Sequence, residues 1–62
     1  MPFIEVKAFE HRFEDDEKAA LLIEKLTAAF GEVYGDDVAR ETEVVLQGVS
    51  PRHWGFGGKR RV

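Results

Sequence analysis

The sequence has no cysteine, only two histidines, two prolines, one methionine, one tryptophan and one tyrosine. Without cysteine, a disulfide framework and a thiolate metal site are both excluded. His11 and His53 lie far apart and form no ligand motif, so no metal is expected. No apolar run approaches the roughly 20 residues that span a membrane. The opening stretch lacks the form of a signal peptide, because Glu5 and Lys7 interrupt it at once. A cytoplasmic protein with no membrane partner is therefore expected. A basic excess is missing as well: net charge is −3, and only Lys59-Arg60-Arg61 forms a basic run. Three residues in an acidic chain do not argue for a nucleic-acid partner.

What the chain does have is apolar surface. Of its 62 residues 44% are hydrophobic, five of them phenylalanine. One small domain, residues 1–62, is implied. A domain of about 60 residues buries only about 60% of its unfolded surface and is marginal alone. The usual supports are disulfides, metals and oligomerisation. With the first two excluded, self-association is the expected support.

Residues 2–9 read as a strand, with Ile4, Val6 and Ala8 alternating with Glu5 and Lys7. Phe3 and Phe9 fall on the charged side, giving that face aromatic ends. Glu14 to Glu17 reads as a helix start, where acidic side chains cap free amides and oppose the dipole. Ala19, Leu22, Ile23, Leu26, Phe30 and Val33 then recur at helical spacing as one apolar stripe. Gly31 or Gly35 is expected to end the helix, and Asp36 to Arg40 to connect as a loop. Thr42 to Val49 is a second strand rich in β-branched residues. Strand, helix and strand make a βαβ unit with parallel strands and a right-handed crossover. Such a unit is too small to stand alone, and its open edge invites a second copy. Ser50 to Gly58 alternates aromatics with glycines and predicts a small hairpin. A phosphate-cradling loop is the rival reading, but no helix follows Gly58 for it to open onto.

Pro2 is the residue with the most chemistry to offer. With Met1 removed, it would carry a free secondary amine on a rigid ring. An α-amino group titrates at roughly 7.7–8.0, and apolar surroundings or neighbouring cations lower that value. A base poised near neutrality suits proton transfer.

Pro2 opening the first strand, Arg12 just after it, and His53-Trp54-Gly55-Phe56-Gly57-Gly58 closing the chain together resemble the 4-oxalocrotonate tautomerase family. Val49 to Trp54 is similar to the same stretch of several bacterial members. The resemblance spans nearly the whole chain. It implies an α/β fold in which two βαβ units join into one four-stranded sheet with two helices. Three such dimers make a hexamer, the assembly expected here. It implies a cofactor-free isomerase that moves a proton between carbon and oxygen, or between two carbons, of a small carboxylate substrate. Pro2 matches the general base. Arg12 matches an arginine that binds the substrate carboxylate, for which a guanidinium offers two parallel charge-assisted hydrogen bonds. Trp54 falls where members place an aromatic that lines the pocket. Phe3, Phe9 and Phe56 are read mainly as packing.

One departure from the family matters. Where the best-studied members carry a second arginine at the start of the second strand, this chain has Glu43; the nearest cation is Arg40. Arg40 is kept as a candidate substrate-binding residue. The departure favours a simple keto–enol substrate, such as an aryl pyruvate, over a dicarboxylate dienol. It also leaves two alternatives. One is a hydratase or dehalogenase of the same superfamily, with protonated Pro2 as acid and Glu43 activating water. The other is a largely non-catalytic subunit of a mixed oligomer.

Overall fold

The computed structural model describes residues 1–61. Strands β1 (Phe3–Phe9) and β2 (Glu43–Val49) pair in parallel, with Phe3 beside Glu43, Val6 beside Leu46 and Phe9 beside Val49. Because side chains alternate along each strand, Ile4, Val6, Ala8, Val44 and Leu46 share one face and are half-buried there. Phe3, Glu5, Lys7, Glu43, Val45 and Gln47 share the other, which is exposed.

Between the strands runs α1 (Asp16–Tyr34), the parallel crossover. Asp15 caps it: its carboxylate accepts the Glu17 N–H at 2.9 Å and the Lys18 N–H at 3.2 Å. Asp16 and Glu17 add negative charge at the positive end of the dipole. Gly35 stops the helix, with φ 101° and ψ 163°, a conformation open essentially to glycine alone. Gly31 instead stays within α1.

The inner stripe of α1 is narrower than its periodicity suggests. Ala19, Leu22, Leu26 and Phe30 are half-buried, whereas Ile23 is 39% and Val33 71% exposed. Two strands about 4.8 Å apart cannot cover a wider stripe of the helix laid on them. A second difference is that residues 36–40, expected as a loop, form the short helix α2 (Asp36–Arg40). Val38 and Ala39 donate their N–H groups to Gly35 O, and both are half-buried. The Thr42 hydroxyl closes the far end on Val38 O at 2.9 Å.

Past β2, a 3-10 turn (Pro51–His53) leads to β3 (Gly55–Phe56) and β4 (Lys59–Arg60), an antiparallel hairpin as expected. Its loop is Gly57-Gly58, with φ of 61° and 85°. A two-residue loop with both φ positive matches the right-handed twist of the flanking strands.

The outcome is a slab measuring 42 × 25 × 14 Å. Its radius of gyration is 14.3 Å, where a compact chain of this length has about 11 Å. It exposes 5065 Å², against roughly 4,000 Å² for a compact monomer of this mass. No described residue is fully buried. One helix on one side of a two-stranded sheet leaves the core half-built. Among the described residues no helix is long and apolar enough to cross a membrane.

Candidate active site

At the C-terminal end of β1 the strand meets the hairpin in an open groove of about 570 Å³. Lys7, Phe9, Arg12, Trp54, Phe56 and Arg61 line it. Each arrives there for a local reason. The chain leaves β1 at Phe9 and enters a 3-10 turn, Glu10–Phe13, whose last residues carry Arg12. That turn crosses β2 at Gly48, where a Cβ would lie only 2.8 Å from Glu10 Cα.

Trp54 is set by the Pro51–His53 turn. The Ser50 hydroxyl accepts the Arg52 N–H at 3.2 Å, and Ser50 O accepts the His53 N–H at 2.8 Å. Trp54 then meets Phe9 edge to face, with ring centroids 4.9 Å apart at 71°. That geometry aligns a positive ring edge with a negative ring face. Arg61 follows β4; its N–H donates to Trp54 O at 2.9 Å. Its guanidinium lies 5.9 Å from the Phe56 ring centroid, within cation–π range.

The groove is positive and aromatic. Lys7, Arg12 and Arg61 contribute cations, and no Asp or Glu is in the lining. Lys7 has Glu5 at 3.8 Å, an exposed pair worth at most about 1 kcal/mol. Among the described residues, neither Arg12 nor Arg61 is in an ion pair. Such a groove suits a small planar anion: guanidinium groups for its carboxylate, aromatic rings for its body. Among the described residues, no cluster of three His, Asp or Glu side chains could hold a metal ion.

Of the residues singled out from the sequence, Arg12 and Trp54 come together here. Pro2 and Arg40 do not. Pro2 precedes β1, and its carbonyl accepts the Glu43 N–H at 3.0 Å. It is seven residues from Phe9, roughly 23 Å at 3.3 Å per residue. Arg40 ends α2, three residues before the start of β2 at Glu43, with its guanidinium on the Asp37 carboxylate. The candidates thus form two groups at opposite ends of β1, and a rigid strand keeps them apart. Any site that includes both groups draws them from different copies of the chain.

Lys7 and Arg61 were missed in the sequence, one read as strand charge and the other as tail. Phe9 and Phe56, read as packing, also line the groove. For Arg61 a usable signal existed. A two-residue Gly-Gly loop pairs Phe56 with Lys59, and counting outward sets Trp54 opposite Arg61.

Comparison with known proteins agrees with this architecture. The profile of the family described as "Tautomerase enzyme" matches residues 2–61. A Bacillus cereus protein named a probable tautomerase is 42% identical over 62 residues, covering 97% of this chain and 93% of its own. Among solved structures, one from work on the 4-oxalocrotonate tautomerase isozymes of Methylibium petroleiphilum is similar, with TM-score 0.78 and 32% identity. Another, of a candidate 4-oxalocrotonate tautomerase from methicillin-resistant Staphylococcus aureus, has TM-score 0.80 and 28% identity. Each structural match covers 97% of this chain and 92% of the other.

Proposed function

The chain belongs to the tautomerase family, and on that premise we propose that it is a cofactor-free cytoplasmic isomerase acting on a small carboxylate substrate. Pro2, with its amine freed by removal of Met1, is the proposed general base. The observation that carries this reading is the groove itself, cationic and aromatic, with Arg12 and Trp54 together and no acid in its lining.

In the proposed reaction the neutral Pro2 amine takes a proton from the enol oxygen or an adjacent carbon. The electron pair moves through the conjugated system, and the resulting ammonium returns the proton to a different atom. Arg12 holds the substrate carboxylate and so fixes which atom faces the amine. Trp54 and Phe56 exclude water, and apolar walls with nearby cations disfavour the ammonium form. The length of β1 requires Pro2 to come from another copy of the chain. A homo-oligomer is therefore part of the proposal. Dimers would pair two-stranded sheets into one of four strands, and three dimers would make the hexamer. The unfinished core and the surplus of exposed surface support it. In this arrangement Arg40, at the same end of the sheet as Pro2 in its own chain, would be carried toward the site with the base.

A second reading has one observation in its favour. Glu43 starts β2 opposite Phe3, with its N–H on Pro2 O, and a carboxylate reaching the amine from there would favour its charged form. A hydratase or dehalogenase would use that protonated Pro2 as an acid. The two readings require opposite protonation states, so the pH dependence of kcat/KM on an aryl pyruvate enol separates them. A base must be deprotonated, so activity is expected to rise with pH through one titration near or below neutrality. Activity that rises as pH falls would overturn the base and favour the acid. Pro2→Ala keeps an N-terminal amine but makes it primary and more mobile, and it should reduce activity without abolishing it.

A further inference from the structure

We propose that Phe9 is a positioning residue: its ring holds the Trp54 indole, and through Trp54 the whole hairpin, at a set distance from Arg12. The proposal rests on reading this groove as the substrate site and adds the side chain that sets its width.

The groove has two walls of separate origin. The end of β1 and its 3-10 turn bring Lys7, Phe9 and Arg12; the hairpin brings Phe56 and Arg61, with Trp54 at its base. The hairpin wall is weakly held. Residues 55–61 are all exposed, and Trp54 before them is half-buried. Among the described residues, no hydrogen bond or ion pair joins residues 55–61 to any part of the chain before Trp54. The Arg61 N–H closes the hairpin ladder on Trp54 O at 2.9 Å, so the hairpin follows Trp54.

What holds Trp54 is therefore decisive. Its main chain is fixed, because its N–H donates to Pro51 O at 3.2 Å in the turn that Ser50 caps. Those bonds do not fix the swing of the indole. Trp54 borders the groove and also a second hollow of about 380 Å³, lined by Gln47, Val49 and His53, so the indole has room to move. Among the described residues, Phe9 is the only ring paired with it, at 4.9 Å and 71°. Such a pair contributes beyond its buried area and favours particular orientations. Phe9 is also the last residue of β1, three before Arg12. One ring thus ties the turn that carries Arg12 to the hairpin. The alternative is that Phe9 only adds apolar area at the end of the strand.

Phe9→Leu separates the two, because it keeps an apolar side chain and removes the ring. Trp54 is the only tryptophan of the chain, so near-ultraviolet circular dichroism and fluorescence anisotropy of the ligand-free, assembled protein report its indole. In Phe9→Leu the Trp54 bands should weaken and the anisotropy should fall. With the enol of phenylpyruvate, KM should rise about two- to tenfold, the factor by which loss of an aromatic pair depopulates the held hairpin. The change in kcat should stay below about twofold, since bound substrate restores the held state at saturation. Phe9→Tyr keeps the ring and should keep both the Trp54 signals and KM. In a Trp54→Leu background, Phe9→Leu should add less than about twofold, because its effect passes through Trp54. Phe9→Ile repeats the test should the leucine variant fail to assemble.

A lower kcat at unchanged KM in Phe9→Leu would mean fewer intact copies and would reduce Phe9 to packing. A full effect in the Trp54→Leu background, or unchanged Trp54 signals, would make Phe9 a direct substrate contact instead. Unchanged kinetics for Phe9→Leu alone would overturn its role as well. Those outcomes leave the groove as the substrate site. If Arg12→Ala and Trp54→Leu also leave the kinetics unchanged, or the unmodified protein does not turn the enol over, the reading of the groove fails and this proposal with it.

Discussion

Replacing Gly48 with alanine tests whether one close backbone crossing sets the position of Arg12. A Cβ at residue 48 would stand 2.8 Å from Glu10 Cα and 3.0 Å from Glu10 Cβ. Carbon atoms pack at about 3.5–4.0 Å, so the 3-10 turn must retreat by on the order of 1 Å. The obstacle is backbone and Cβ, not the flexible end of a side chain, so the retreat moves the turn itself. Overpacking of this kind costs about 1–3 kcal/mol. At a site without a clash the same replacement stabilises by about 0.4–1 kcal/mol through the unfolded chain, so the sign alone is diagnostic. With unfolding entropy of about 2.1 cal/mol/K per residue, 62 residues convert 1 kcal/mol into about 8 °C. The expected fall in Tm is roughly 8–24 °C at equal chain concentration. Gly55→Ala serves as the comparison, since its Cβ would meet only Lys59 O at 3.7 Å. Arg12 lies two residues beyond Glu10 and should move with it. A 1 Å misplacement can cost about a hundredfold in rate, so kcat/KM of Gly48→Ala is expected to fall about 10–100-fold. Thermal unfolding followed by circular dichroism, together with steady-state kinetics, supplies both readings. A Tm within about 2 °C of the parent would show that the crossing is not tight. A large fall in Tm with unchanged kcat/KM would show that the turn does not position a binding group.

Arg12→Ala should weaken a carboxylate substrate by about 1.5–3 kcal/mol, the scale of a charge-assisted hydrogen bond. The loss should appear mainly in KM if the arginine holds substrate and transition state alike, and unchanged kinetics would return Arg12 to solvent. The active protein should have the mass of a chain without Met1; a mass that retains methionine in fully active material would exclude the Pro2 amine as base. Sedimentation at micromolar concentration should show an oligomer and no folded monomer. A stable, folded 7.0 kDa species would contradict a site assembled from several copies.

Most of the chain's secondary structure was legible without coordinates because local physics dictates it. Alternation of Ile4, Val6 and Ala8, the acidic cap at Asp15, and the paired glycines of the hairpin each act over a few residues. The order of Pro2, Arg12 and the His53–Gly58 segment was enough to suggest the family. The lack of cysteine and the excess of apolar residues likewise anticipated a chain that does not complete its own core. What the sequence did not reveal depends on distances across the fold. Ile23 and Val33 have the spacing of buried residues, yet they are exposed because two strands cover only a narrow stripe of α1. Residues 36–40 look like a loop, but Val38 and Ala39 turn in to form α2. Above all, the sequence listed Pro2, Arg12, Arg40 and Trp54 as candidates without saying which of them meet. The parallel register of β1 with β2 holds Pro2 and Arg40 at one end, and Arg12 and Trp54 at the other. The hairpin register, closed by the Arg61 to Trp54 bond, brings a further arginine into the groove. Residue types and local periodicity are properties of the chain in sequence; proximity between its ends is created only when strands pair, and that pairing decided the composition of the site.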